Sequence, residues 1–251
     1  MRRRIVITWV LLWGLAGVLA QAGEVVVEYV SGVDASAGVA GAADPVAQGW
    51  TFTGDGSGYA DGYDSGDGGW RTVDGTGGAP ANYGRTLTAP QVALLQQAAS
   101  WRLTWTLAMD KDALTEDGGS VTDYYLSPNH GRQNNLIVLI DVADKGYYLS
   151  HRLDASNQLY LRDELTTTEY HTGVLVGPGW PGFVTFVLTY DAEKGAAVVD
   201  YGGGRATIAE GDPVNTSKAY FGAGNSAGQG SAVWNEWKLE THELGTVLFI
   251  R

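Results

Sequence analysis

From Trp101 to Met109 every second residue is large and apolar: Trp101, Leu103, Trp105, Leu107 and Met109 are separated by Arg102, Thr104 and Thr106. Side chains of a strand point alternately to the two faces of its sheet, so this spacing predicts a strand with one face in a core and one in water. The pattern returns in Val184, Phe186, Leu188 and Tyr190, and again in Val233, Trp237 and Leu239. That last segment sets Trp234 on the opposite row beside Glu236, where its indole would be an exposed stacking platform. Leu136 to Val142 departs from the rule, being apolar on both rows except at Asp141, as expected of a central strand covered on both faces.

Residues 147–154 and 158–163 are predicted to form a hairpin. Keeping Leu149 and Leu153 on the face of Leu159 and Leu161 fixes its register, because a slip of one residue would turn a whole row outward. His151 then lies opposite Leu161 on the leucine row, as a core histidine. Arg152 lies opposite Tyr160, and Ser150 opposite Arg162, on the other face. One helix is predicted, where Thr88 and Gln91 make a capping box with Pro90 in the first turn, ahead of Val92, Leu94 and Leu95. Between Gly54 and Gly78 glycine and aspartate dominate, which predicts loop with one strand around Trp70 to Val73. With 36 glycines, 13 tyrosines and 9 tryptophans and no internal repeat, the chain reads as all-β and not as a propeller. The predicted fold is a two-sheet antiparallel jelly-roll sandwich with one short helix.

The first residues carry the three parts of an export signal: Arg2 to Arg4, an apolar run from Ile5 to Leu19, and the small-residue triplet Ala20, Gln21, Ala22. A membrane anchor is the alternative, but the run is short for a span. Cleavage after residue 22 leaves residues 23–251 as one domain, secreted or periplasmic in a bacterium. The chain has no cysteine, which removes thiol catalysis, thiolate zinc sites and disulfides and leaves the core alone to hold the domain. The formal net charge of −12 becomes more negative once the three arginines are lost. Nucleic acids and anionic membranes are therefore unfavourable partners, and a neutral or cationic ligand is easier to accept. An anionic polysaccharide would need a local basic patch.

Two stretches carry a resemblance. Gln48 to Phe52, Gly69 to Asp74 and Tyr83 resemble the start of the laminin-G-like jelly-roll domains of bacterial secreted proteins, among them lectin-like domains attached to sialidase-type enzymes. Tyr220 to Ser226 and Ser231 to Leu239 resemble their last two strands, and Thr189 to Asp191 before residues 196–203 resembles their penultimate hairpin. The resemblance implies a concanavalin A-like sandwich whose members mostly bind glycans, some acting as glycosidases or polysaccharide lyases. The paired glutamates of laminarinase-type hydrolases have no counterpart here. The alginate-lyase motif is matched at Tyr220 and Phe221 but lost at Gly222, Ser226 and Gly228, where lysine, the catalytic tyrosine and glutamine would stand.

The candidate sites follow from residue chemistry. For a lyase or glycosidase, His130 or His171 would act as base with Tyr124, and Arg132 would neutralise a uronate; the bland reading of His130 and Arg132 is a solvated turn entering the strand at Leu136. For a carbohydrate-binding face, Tyr148, Arg152, Tyr160 and Arg162 on the hairpin's outward row would supply rings and fixed donors, joined by Trp70, Trp234 and Glu236. Asp55, Asp61, Asp64 and Asp67 on a glycine-rich loop would suit a structural Ca²⁺, although Asp-Gly is also common in plain turns. No other cofactor is expected. An extracellular glycan or polysaccharide is the expected partner.

Overall fold

The computed structural model describes residues 23–31, 44–54, 58–64, 68–74, 81–109, 136–142, 145–153, 156, 158–176, 182–210, 217–223 and 230–242. In chain order the elements begin with β1 (Val25–Val30), β2 (Thr51–Gly54), β3 (Gly58–Asp64), β4 (Gly69–Asp74), β5 (Ala81–Thr86), α1 (Ala89–Gln97), β6 (Ser100–Met109) and β7 (Leu136–Val142). There follow β8 (Lys145–Leu153), β9 (Gln158–Asp163), β10 (Thr168–Leu175), β11 (Val184–Asp191), β12 (Ala196–Asp200), β13 (Arg205–Ile208), β14 (Lys218–Ala223) and β15 (Gly230–Thr241). The strands form two antiparallel sheets. An eight-stranded sheet runs β13-β12-β11-β6-β15-β4-β3 with β1 also paired to β15, and a seven-stranded sheet runs β10-β9-β8-β7-β14-β5-β2. The chain passes repeatedly between them, as from β5 through α1 to β6 and from β14 to β15. Among the described residues, a two-sheet antiparallel sandwich with one helix is thus the observed architecture.

Its core is built as the alternation requires. The odd residues of β6 are each 2% exposed or less. Trp105 stacks on Phe186 of β11 with ring centroids 5.3 Å apart, and Trp50 meets Phe221 and Trp237 edge-on. Such rings bury large apolar areas and dominate core energetics. The helix begins at Thr88, whose N–H donates to Gln91 Oε1 at 2.9 Å, and Gln91 Nε2 donates to the Val26 carbonyl at 2.6 Å. One glutamine thereby caps the helix and ties it to β1. Among the described residues no helix is long and apolar enough to cross a membrane.

Two expectations are corrected. Trp234 is not an exposed platform: it is wholly buried and donates from Nε1 to Thr72 Oγ1 at 3.0 Å. The cause is a bulge in β15, where Trp234 pairs with Leu107 but Glu236 pairs with Thr106, leaving Asn235 as an extra residue. A bulge resets the alternation, so Trp234 and Trp237 both point inward. Asn235 is fixed there by donating from Nδ2 to Ser31 Oγ and to the Gly68 carbonyl. The second correction concerns residues 54–78, which hold two paired strands, β3 and β4, where one was expected. β3 lies at the end of its sheet, where backbone pairing alone can hold a strand that lacks an apolar row. Asp61 and Asp64 therefore lie on a strand and not on a loop.

The hairpin register is as predicted, with His151 opposite Leu161, Arg152 opposite Tyr160 and Ser150 opposite Arg162. β7 lies between β8 and β14 at the centre of its sheet. His151 is fully buried, and its Nε2 accepts a hydrogen bond from Trp105 Nε1 at 2.8 Å. An accepting Nε2 carries no proton, so the ring is held as the tautomer protonated at Nδ1. At one flank Asp163 joins the sheets. Its Oδ1 accepts from the Leu165 N–H at 2.9 Å, and its Oδ2 from the Ala209 N–H at 3.1 Å.

Candidate binding face

The outward face of the seven-stranded sheet is set by pairing. One row crosses every strand as Glu169, Arg162, Ser150, Ile137, Gly222, Asn82 and Thr53. On one side of it lies a row with Tyr148, Leu139, Tyr220, Gly84 and Thr51. On the other side lie His171, Tyr160 and Arg152. Neighbouring strands are about 4.8 Å apart, so Tyr148 and Tyr220, with β7 between them, are separated by roughly 10 Å across the sheet.

Arg152 and Tyr160 were expected on the outward row, open to a ligand; the pairing puts them on that row, yet they are only 5% and 7% exposed. Neighbours on the same face close over them. Arg152 Nη2 donates to Glu164 Oε1 at 2.6 Å and Nε to Ser150 Oγ at 3.0 Å, while Ser150 Oγ also donates to Glu164 Oε1. Glu164 is brought there because its N–H donates to the Tyr148 carbonyl at 3.1 Å, one step beyond the end of β9. A buried cation is tolerable only when paired and hydrogen-bonded, and this network provides both. Tyr160 lies against the exposed ring of His171 with centroids 5.2 Å apart, and its hydroxyl bonds to Glu169. Arg162 is less committed. Its contact with Glu164 Oε2 is long at 3.8 Å, and its Nε–H has no hydrogen-bond partner.

Burial, reinforced by nearby carboxylates, pushes the phenols of Tyr148 and Tyr160 above their ordinary range despite the arginines beside them. They remain protonated donors, so Tyr160 is not prepared to abstract a proton. His171 Nδ1 shares a hydrogen bond with Gln158 Oε1 at 3.1 Å, and Nε2 lies 4.0 Å from Glu169 Oε2. The described part of this face is therefore equipped to hold hydroxyls and apolar faces in place.

Tyr220 belongs to the face although residue chemistry did not single it out. An ideal Cβ at Gly84 would fall 2.6 Å from Tyr220 Cε1 and 2.9 Å from Cδ1, so the ring edge rests on the bare backbone of β5. Lys218 Nζ lies 5.9 Å from the ring centroid, at the limit of cation–π reach. The signal was present in the alternation, since Ala219 and Phe221 are buried and Tyr220 between them must face out.

The other candidates are placed elsewhere. Trp70 is partly buried, packs on the core and donates from Nε1 to Tyr83 Oη at 2.8 Å. Glu236 is half-buried on the eight-stranded sheet. Tyr124, His130, Arg132, Asp55, Asp67 and the export signal lie outside the described residues, as do the side chains of Asp61 and Asp64. Among the described residues no cluster of histidine, aspartate and glutamate is arranged to hold a metal ion. A groove of about 520 Å³ opens on the eight-stranded sheet between Arg102, Val187, Thr189, Lys194, Val198 and Arg205. Its cations are already matched: Arg102 to Glu240, Lys194 to Asp191 at 2.5 Å, and Arg205 to Asp200 at 3.1 Å.

No protein-family model matches the chain, and no curated protein matches it. Among solved structures it is similar to a binding domain of botulinum neurotoxin DC in complex with SialylT, at 9% identity and a TM-score of 0.42 over 78% of this chain and 43% of that one. It is similar to the binding domain of the same toxin in complex with rat synaptotagmin II, at 9% identity and a TM-score of 0.41 over 78% and 44% of the two chains. A Trypanosoma rangeli sialidase in complex with the inhibitor DANA is also similar, at 12% identity and a TM-score of 0.40 over 77% and 30%. The chain spans less than half the length of each of these solved chains.

Proposed function

We propose that this chain is a secreted carbohydrate-binding domain that engages an extracellular glycan on the outward face of its seven-stranded sheet. One observation carries the reading: Tyr148 and Tyr220 share a row about 10 Å apart, beside fixed arginine and glutamate groups. Tyrosine rings present an apolar surface on which the C–H faces of sugars stack, and the adjoining donors and acceptors orient the hydroxyls. The alternative of a polysaccharide lyase or glycosidase using His130, Arg132, Tyr124 and His171 draws no support from His171, whose neighbour Tyr160 is held protonated. Retention on immobilised polysaccharides tests the proposal when wild type is compared with a Tyr148→Ala/Tyr220→Ala variant. Retention lost at unchanged melting temperature supports it, and undiminished retention of the variant rejects it.

A further inference from the structure

We infer that the sugar bound at this face is neutral and is held through a vicinal diol, one hydroxyl donating to Glu169 and the other accepting from Arg162. This rests on the proposed carbohydrate-binding role. Glu169 and Arg162 are directly opposed across β10 and β9, so their side chains leave the same face side by side. Across an antiparallel pair such opposite charges ordinarily meet. Here each is turned to another group: Arg162 towards Glu164 Oε2 at 3.8 Å, and Glu169 towards the Tyr160 hydroxyl and, at 4.0 Å, His171 Nε2. Both keep unused capacity. The Arg162 Nε–H is unpartnered but buried, and the donors left for a hydroxyl are the terminal ones of its guanidinium, on a side chain that is 21% exposed. Glu169, whose side chain is 45% exposed, has acceptor sites beyond the one taken by Tyr160.

A donor beside an acceptor matches two adjacent hydroxyls, one used as acceptor and one as donor. The charge balance selects against acidic sugars. Around the pair, within β8–β10, Arg152 and Arg162 are offset by Glu164 and Glu169, and Lys218 lies three strands from β9, so no excess of positive charge at the pair opposes the −12 of the whole chain. A uronate placed on Arg162 would bring its carboxylate against Glu169. The ring beside the pair, His171 on Tyr160, supplies a flat surface for the sugar to rest on.

Calorimetric titration with neutral tetrasaccharides of glucose, mannose and galactose, set against tetragalacturonate, is the test. The expected result is that at least one neutral tetrasaccharide binds, with affinity changing less than about twofold between about 20 mM and about 500 mM salt. Glu169→Gln and Arg162→Gln, both at partly exposed positions, should each weaken it about tenfold with melting temperature unchanged. Tetragalacturonate binding more tightly than every neutral probe, with steep salt dependence, would overturn the inference and leave the carbohydrate-binding role standing. The same follows if a neutral probe binds and neither Gln variant weakens it. If none of the four probes binds, the inference falls, and polysaccharide retention alone then decides the broader role.

Discussion

His151 and Arg152 are consecutive in β8, and both are withdrawn from water, at 0% and 5% exposure. The means differ completely. His151 is enclosed by Trp105, Phe186 and Trp234, which belong to β6, β11 and β15 of the opposite sheet. Arg152 is enclosed by Ser150 and Glu164, within a dozen residues along the chain and on the same sheet. Burial on the inner face therefore depends on the sandwich being closed, whereas burial on the outer face is local and polar. The proposed binding role rests on that difference: a ligand on the outer face would exchange hydrogen bonds with a local polar network and leave the core undisturbed.

Trp234→Ala should cost about 3–5 kcal/mol in denaturant unfolding, the range for a buried tryptophan; a loss below about 1 kcal/mol would place the indole at the surface and undo the bulge assignment. Glu164→Ala should cost about 3 kcal/mol, because it strands a buried guanidinium. Replacing both partners, as Arg152→Met/Glu164→Leu, should recover most of that loss; if the double variant is worse than the single one, the network is not what shields this face. Gly84→Ala should change stability by no more than about 1 kcal/mol, yet it would drive the Tyr220 ring from its seat, and glycan affinity should fall about tenfold in titration calorimetry.

The smallest effect lies on the outer face of the other sheet. Burial pushes the Glu240 carboxyl up, but the hydrogen bonds from Arg102 and Lys238 outweigh it and hold the group below its ordinary value. The stability it contributes is complete above the ordinary glutamate range and is lost as pH falls through the lowered value. Glu240→Gln should accordingly lower the melting temperature slightly at neutral pH, leave it little changed at the acid end, and so flatten the acid limb of the profile.

Much of the inner face was legible in the alternation. β6 and β11 bury the rows their sequences mark, and the leucine row of the β8–β9 hairpin fixed its register and the burial of His151. What escaped prediction has local physical causes. The Asn235 bulge adds a residue that period counting cannot detect, and it moved Trp234 from the surface to the core. β3 is specified by pairing with β4 and has no apolar row to announce it. On the outer face Arg152 and Tyr160 were read as open to a ligand, and nothing in the sequence places Glu164 over Arg152. Tyr220 was legible but overlooked, since the importance of Gly84 emerges only when β5 and β14 pair. Tyr124, His130 and Arg132 are not among the described residues, so the structure bears on them no further than the central position of β7.

The most direct test of the central claim follows side-chain resonances during titration with the tightest-binding neutral tetrasaccharide. The account predicts that the Arg162 Nε–H and His171 ring signals shift progressively while the Trp105 indole and His151 signals do not. Shifts confined to Arg102, Arg205 and His242 around the groove of the eight-stranded sheet, with the outward face of β8–β10 silent, would contradict it.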